Sequence, residues 1–109
     1  MEVFAPDGGN RSNRSLQEAT NQLIESLRSS NAAMRISKDQ GRVRVGGKSA
    51  LSKILTNDSP LGGRETDWLV TVLRPEGLLY FVFAAPEQEF ADYESAFQQI
   101  LDSVRFSGQ

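Results

Sequence analysis

Carboxylates are the only side chains in this sequence with an obvious capacity for acid-base chemistry, because the chain contains no His and no Cys. Ser-His and Cys-His nucleophiles, HExxH zinc sites and Cys-ligated zinc are therefore excluded. The acidic candidates precede a predicted central strand and the predicted last helix: Glu65, Asp67, Glu87, Glu89, Asp92 and Glu94. Glycoside hydrolysis would need two of them across a cleft with separated pKa values. The helix dipole explains acids near a helix start as readily, so a carboxylate-based hydrolase is the weaker hypothesis.

The tetrapeptide Gly46-Gly47-Lys48-Ser49 matches the end of a phosphate-binding loop. The spacing does not fit, since Arg42 stands where the motif needs its first glycine, and Val43-Arg44-Val45 alternates as a strand does. We predict a tight turn between two strands instead. The sequence also contains no calcium loop of the D-x-[DN]-x-[DN]-G type. The chain is expected to bind no cofactor and no metal.

Cations are concentrated in the first half of the chain. Residues 1–55 contain nine Lys or Arg against five Asp or Glu, and residues 56–109 contain three against nine, which together give a formal charge of -2. Five of the cations could line one basic strand face: Arg35, Arg42, Arg44, Lys48 and Lys53. Nucleic-acid binding usually requires exposed aromatics among such cations, whereas the aromatics here lie on apolar stripes. We therefore predict no nucleic-acid partner.

The segment from Asn57 to Arg64 has the composition of a long flexible connection, rich in residues that favour turns. Trp68 follows at the predicted start of a strand, where it is either a core residue or an exposed anchor beside this loop. Loops on rigid scaffolds often carry binding residues. We therefore take Asn57, Arg64, Glu65 and Trp68 as candidate contacts for a protein or peptide partner.

Two amphipathic helices are predicted, one near each end of the chain. Ser15-Leu16-Gln17-Glu18 has the pattern of a capping box, and the helix it starts should end at Ser29-Ser30-Asn31. The apolar stripe of this helix comprises Leu16, Ala19, Leu23, Ile24 and Leu27. The stripe of the second helix, which follows Pro86, comprises Phe90, Tyr93, Phe97, Ile100, Leu101 and Val104. Both stripes are expected to pack on a sheet.

Strands are predicted between the helices, where apolar residues alternate with polar ones from Met34 onward. Met34–Ser37 and Arg42–Val45 are expected to form a hairpin around a turn at Lys38–Gly41. Residues 50–56 are ambiguous between helix and strand, and we interpret them as a strand.

The clearest predicted hairpin joins Asp67–Arg74 to Leu78–Ala85 through Pro75-Glu76-Gly77. Both faces of its strands are apolar, so both faces require cover. This pattern predicts an α+β fold in which an antiparallel sheet is sandwiched between helices.

The length of 109 residues predicts a single domain, with 39% hydrophobic residues to form its core. We place the α-β-α core at residues 15–106 and interpret residues 1–14 as a poorly ordered segment or a strand remnant at Val3-Phe4-Ala5. The abrupt start suggests a fragment of a longer chain. The longest apolar run, Leu78–Ala85, is too short for a membrane helix, so no membrane insertion by this chain is expected.

The second half of the sequence carries a family resemblance. A predicted hairpin over Gly63–Pro86, with apolar residues on both faces of its strands, is followed by a helical apolar stripe and by Ser103-Val104-Arg105-Phe106. This arrangement resembles the C-terminal module of some bacterial CAAX-protease-type, membrane-associated zinc metallopeptidases and, more broadly, the PsbP-like superfamily. The final helix of the family ends in Ser-aromatic-basic-aromatic or a close variant, and in this sequence Val104 occupies the first aromatic position. The resemblance covers Ser15 to Phe106 and contains no catalytic motif.

The resemblance implies a PsbP-like α/β/α sandwich that acts as a non-catalytic accessory domain and helps to place a substrate or partner. Any zinc would belong to a peptidase domain of the parent protein, because this chain has no His. The resemblance also implies an extracytoplasmic or periplasmic location. The alternative is a free-standing binding or assembly protein, cytoplasmic or not, that is unrelated to proteolysis.

Overall fold

An antiparallel sheet forms the middle layer of the molecule, and one helix covers each of its faces. The computed structural model describes residues 2–4, 16–59, 62–75 and 77–106. In chain order the elements are β1 (Glu2–Phe4), α1 (Leu16–Ser30), β2 (Arg35–Val45), β3 (Lys48–Asp58), β4 (Arg64–Arg74), β5 (Gly77–Pro86) and α2 (Phe90–Asp102). The strand order is β1-β5-β4-β3-β2. The predicted α+β architecture, an antiparallel sheet between helices, is confirmed.

Strand β4 lies at the centre of the sheet and is buried along most of its length. It pairs with β3 on one side and with β5 on the other, where Trp68 is opposite Phe83. Leu69 packs in the α1 cluster and Val70 in the α2 cluster, so the odd-numbered residues of β4 face α1 and the even-numbered residues face α2. The two apolar faces predicted for this hairpin are therefore both covered.

Helix α1 packs its predicted stripe on the odd-numbered face of β4. The stripe residues Leu23 and Ile24 lie in one cluster with Leu69 and Leu78 of the sheet. The 2.7 Å hydrogen bond between the hydroxyls of Thr20 and Thr71 crosses this layer. Both threonines are fully buried, so each satisfies the other where water is excluded. Ser15, the first residue of the predicted capping box, lies outside the described residues.

Helix α2 covers the opposite face through only part of its stripe. Phe90 and Leu101 are buried and Phe97 is half-buried, whereas Tyr93 and Ile100 are 46% and 53% exposed. The prediction that the whole stripe packs on the sheet is therefore wrong at Tyr93 and Ile100. The helical period is correct, but only part of the stripe is buried against the sheet.

Strand β2 runs unbroken from Arg35 to Val45, so the predicted hairpin around Lys38–Gly41 is wrong. The turn-forming residues are accommodated as two irregularities in the pairing with β3. Gly41 has φ 73°, and its N–H donates to the Asp39 side chain over 3.0 Å. These are bulges, which a strand tolerates at the edge of a sheet. The predicted tight turn at Gly46-Gly47 is confirmed, because Val45 pairs with Lys48 across it.

The strand predicted over residues 50–56 is confirmed and is longer, extending from Lys48 to Asp58. The long connection predicted from Asn57 to Arg64 is correspondingly shorter, because Asn57, Asp58 and Arg64 are paired residues of β3 and β4. Pairing satisfies their backbone groups in spite of their turn propensity. The Ser59 N–H donates to the Gly63 carbonyl over 2.9 Å, which closes the connection.

Gly46 is expected to be less tolerant of alanine than its neighbour Gly47. Both have positive φ, 56° and 81°, so both substitutions introduce backbone strain. A Cβ at Gly46 would lie 2.8 Å from the Phe106 ring, whereas a Cβ at Gly47 meets no atom within 4 Å. The free energy of unfolding of Gly46→Ala should be about 1 kcal/mol lower than that of Gly47→Ala. Urea denaturation of both variants measures this difference, and equal values would contradict the close approach of Phe106.

Candidate functional site

The four candidate contact residues lie near one end of the β3–β4 hairpin but do not form one surface. Asn57 and Glu65 are directly paired and face α1, whereas Trp68 faces α2. Asn57 is 3% exposed and Trp68 is 7% exposed. Of the four, Arg64 alone is exposed, and Glu65 is half-buried. The predicted contact surface formed by these four residues together is therefore wrong.

Trp68 is a core residue, and of the two alternatives left open by the sequence the exposed anchor is wrong. Strand β4 begins at Arg64, so Trp68 lies inside a central strand and not at its start. Its indole N–H donates to the Ser52 hydroxyl over 2.7 Å, and Ser52 in turn donates to the Gln40 side chain. This chain of hydrogen bonds satisfies a polar group that burial would otherwise penalise.

Arg64 is engaged with its own hairpin. Its guanidinium donates to the Thr56 hydroxyl over 2.9 Å and lies 3.7 Å from the Asp58 carboxylate. Both carboxylate and guanidinium are exposed, so this ion pair contributes little to stability.

The carboxyl groups of Glu65 and Asp67 come together at the same end of the sheet, beside Asn57. The Asn57 amide donates to Asp67 Oδ2 over 3.1 Å, but neither Asn57 Oδ1 nor Asp67 Oδ1 has a hydrogen-bond partner among the described residues. Burial of Asp67, reinforced by the neighbouring Glu65 carboxyl, raises the pKa of Asp67 to about 7. A proton on Asp67 would provide a second donor at this site, in addition to the Asn57 amide.

This acidic group is buried, so its geometry does not present a carboxylate to a substrate. Asp67 is 5% exposed, and a general acid or base must lie within hydrogen-bond reach of the reacting atom. The other acidic candidates, Glu87, Glu89, Asp92 and Glu94, are all exposed. Of the six acids proposed from the sequence, the structure thus brings Glu65 and Asp67 together. Because Asp67 is buried, this pair is suited to affect the stability of the fold.

The cations do not share one face. Arg42 and Arg44 face α1 because they pair with Leu51 and Ser49, whereas Lys48 faces α2 because it pairs with Val45. Lys53 is 2% exposed and donates to the Asp39 carboxylate over 2.8 Å. That hydrogen bond lowers the pKa of Asp39. The predicted single basic face is therefore wrong.

A row of aromatic rings leads from the core to the surface on the α2 side. The ring centroids of Trp68 and Phe83 are 5.5 Å apart, and those of Phe83 and Phe97 are 5.0 Å apart. Phe97 also contacts Phe90 at 5.7 Å and Tyr93 at 6.1 Å. Phe97 thus connects the buried indole to the exposed Tyr93.

An apolar cavity of about 290 Å³ opens beside this row, where α2 passes the end of β5. It is lined by Ala84, Ala85, Pro86, Glu89, Tyr93 and Phe97. Glu89 is the only charged residue in this lining. Sequence reasoning assigned Tyr93 and Phe97 to the core because they fall on the helical stripe. The composition of the same segment indicates an exposed surface in part, because residues 87–102 contain five acids and no Lys or Arg.

Within the described residues, no group of three or more acidic side chains is arranged to hold a metal ion. Neither of the two described helices is long and apolar enough to cross a membrane.

Comparison with known proteins identifies the fold and leaves the function open. No protein-family model and no curated protein sequence matches the chain. Its structure is similar to the crystal structure of PA94 from Pseudomonas aeruginosa, a protein of unknown function described as a candidate regulator. The TM-score is 0.75 at 11% sequence identity, and the match covers 92% of this chain and 68% of PA94. At this level of identity the similarity shows a shared fold alone.

Proposed function

We propose that this chain is a non-catalytic binding domain that holds an apolar segment of a protein partner in the cavity between β5 and α2. The observation that carries the proposal is the aromatic row that ends at Tyr93, whose side chain is 46% exposed beside the cavity. Aromatic residues at the rim of an apolar cavity provide large contact area and little conformational entropy loss on binding.

The size and charge of the cavity support a peptide segment as the partner. A volume of about 290 Å³ is near the lower limit of small-molecule sites and suits one or two apolar side chains of a peptide. The segment that contributes Glu89 and Tyr93 to the cavity contains four exposed acids: Glu87, Glu89, Asp92 and Glu94. A segment with Lys or Arg next to its apolar residues would be electrostatically complementary to this surface.

The binding role agrees with the PsbP-like resemblance, in which the domain is an accessory module. In a bacterial zinc metallopeptidase it would place substrates or an assembly partner outside the cytoplasm, with the zinc in the parent's peptidase domain. The alternative is a free-standing PsbP-like binding protein. Sequencing the gene upstream of Glu2 separates the two: an in-frame HExxH motif after an apolar helix supports the peptidase module, and a native start at Met1 contradicts it.

Selection of peptides against the immobilised chain tests the binding proposal. A phage-displayed library of random dodecapeptides should yield sequences with an apolar run next to Lys or Arg. Tyr93→Ala should weaken their binding at least about tenfold, because it removes the exposed end of the aromatic row. Fluorescence anisotropy with synthetic copies of the selected peptides measures the loss.

Ile100→Ala is the matched control, because Ile100 is also an exposed apolar residue of α2 but does not line the cavity. Both substitutions introduce the best helix former, so neither should unfold α2. Equal effects of the two variants, or a selection that enriches no peptide, would refute the proposed function.

A further inference from the structure

One edge of the sheet is only partly paired. β1 pairs with β5 at Leu78, Leu79 and Tyr80. Beyond this point, no described strand pairs with the outer edge of β5 from Phe81 to Pro86. Every second residue of an edge strand directs its N–H and C=O outward, so this stretch offers backbone donors and acceptors to another strand.

The two edges of the sheet differ in how they are protected. The opposite edge strand, β2, contains two bulges and five charged residues, and both features discourage pairing with a further strand. The free stretch of β5 contains neither, since Phe81–Pro86 has no charged residue and pairs with β4 in regular register. Within the part of the chain that the structure describes, its protection is limited to Pro86 at its end.

Apolar side chains are accessible on both sides of this free edge. Val82 is 44% exposed and Ala84 is exposed on the α1 side, which α1 does not cover here. On the α2 side, Ala85 borders the cavity with Tyr93 and Phe97. A strand added to the edge would bury its alternate side chains against these two apolar surfaces.

The direction of such a strand follows from β1. Antiparallel pairing places Glu2 opposite Tyr80 and Phe4 opposite Leu78. A segment continuing this line would begin opposite Pro86 and end opposite Val82. Its first residues would then lie nearest Glu87 and Glu89, the acids that follow β5.

We infer that the partner segment binds as an additional antiparallel strand on Val82–Pro86, in line with β1. The segment is extended, about six residues long, and has Lys or Arg immediately before its apolar run. Alternate side chains enter the cavity while the main chain pairs with β5. This inference rests on the proposed function, which requires only that the cavity bind an apolar segment.

Backbone methylation of a peptide tests the strand pairing. The probe is a fluorescent peptide, Lys-Lys-Val-Phe-Val-Thr-Val-Thr, and two derivatives are N-methylated on alternate residues of its apolar run. In an added strand only one of these sets directs its N–H groups toward β5. One derivative should bind the protein at least about tenfold more weakly, because several hydrogen bonds are lost, and the other within about threefold of the parent peptide. Moving both lysines to the other end should weaken binding severalfold at low salt.

A matched pair of variants on the two edges tests the location. Val82→Lys places a charge on the free edge of β5 and should weaken peptide binding at least about fivefold. Ile36→Lys places the same charge on β2, at a side chain of similar exposure, 48% against 44%, and should leave binding unchanged.

The outcomes separate the inference from the proposed function. Equal effects of the two methylated sets, or of the two lysine variants, would overturn strand addition. Binding that is still lost in Tyr93→Ala would then leave the cavity proposal intact. Binding of the selected peptides that is insensitive to Tyr93→Ala would refute both. A stable dimer of the chain in sedimentation experiments that is dissociated by Val82→Lys and excludes the peptide would assign the edge to a second copy and overturn the inference.

Discussion

Trp68→Ala should lower the free energy of unfolding by about 3–5 kcal/mol, the range for removal of a buried aromatic side chain. The indole packs in the hydrophobic cluster between the sheet and α2 and contacts Phe83. Its removal leaves a cavity and also removes the donor to the Ser52 hydroxyl. The loss is large relative to the total stability of a small domain, so much of the variant is expected to unfold on mild heating.

Trp68→Phe separates packing from hydrogen bonding. Phenylalanine retains most of the ring contact with Phe83 but has no N–H for Ser52, and we expect a loss of about 1–2 kcal/mol. Because Trp68 is the only tryptophan, urea denaturation of these variants must be followed by circular dichroism. A Trp68→Ala protein that unfolds at the wild-type urea concentration would show that the indole is not part of the core.

Asp67→Asn should stabilise the protein by about 4 kcal/mol at pH 8. Asparagine cannot ionise, and its amide can donate to the Glu65 carboxylate next to it. In the wild type, Asp67 must lose its proton above neutral pH and then hold a charge in a buried position. The gain is expected because the raised pKa of Asp67, about 7 against an ordinary value of 3.8, makes ionisation unfavourable in the folded state.

The sign of the pH dependence follows from the same shift. Below about pH 4 the carboxyl is protonated in both folded and unfolded chains, and the stabilising difference is fully present. Between 3.8 and about 7 only the folded protein retains the proton, so stability falls as pH rises, by about 1.4 kcal/mol per pH unit for this group. Above the folded pKa the loss is complete.

Urea denaturation at several pH values between 4 and 8, followed by Trp68 fluorescence, measures this contribution. The difference in stability between wild type and Asp67→Asn should increase with pH and reach a plateau above about pH 7. Asp58→Asn is the control, because Asp58 is exposed and pairs loosely with Arg64. A difference between wild type and Asp67→Asn that does not change with pH would show that Asp67 ionises normally.

Glu65 and Asp67 also show why position in the sequence alone does not predict the environment of an acidic side chain. Glu65 and Asp67 were recognised as candidate acids, but their sequence gives no indication that Asn57 would lie opposite Glu65. The register of β3 against β4 brings Asn57 to this position, where Asn57 and Asp67 are both buried. A carboxyl becomes unusual in its pKa through burial and through its neighbours, and both are properties of the tertiary structure.

Local pattern was sufficient to predict most of the elements. The two helices, the β4–β5 hairpin and the Gly46-Gly47 turn are encoded by apolar period and by residues with special backbone preferences, which act over a few neighbouring residues. The presence of apolar residues on both faces of β4 and β5 was sufficient to predict helices on both sides of the sheet.

Tertiary structure determined where the local backbone preference was not followed and which apolar side chains stayed exposed. Lys38–Gly41 favours a turn, but pairing with β3 extends β2 through it as bulges. Trp68 could occupy core or surface, and the start of β4 at Arg64 places it in the core. Tyr93 belongs to a stripe typical of buried residues, yet its side chain is 46% exposed in the folded chain. Sequence period determines which residues share a face, whereas only the packed structure determines how much of that face is covered.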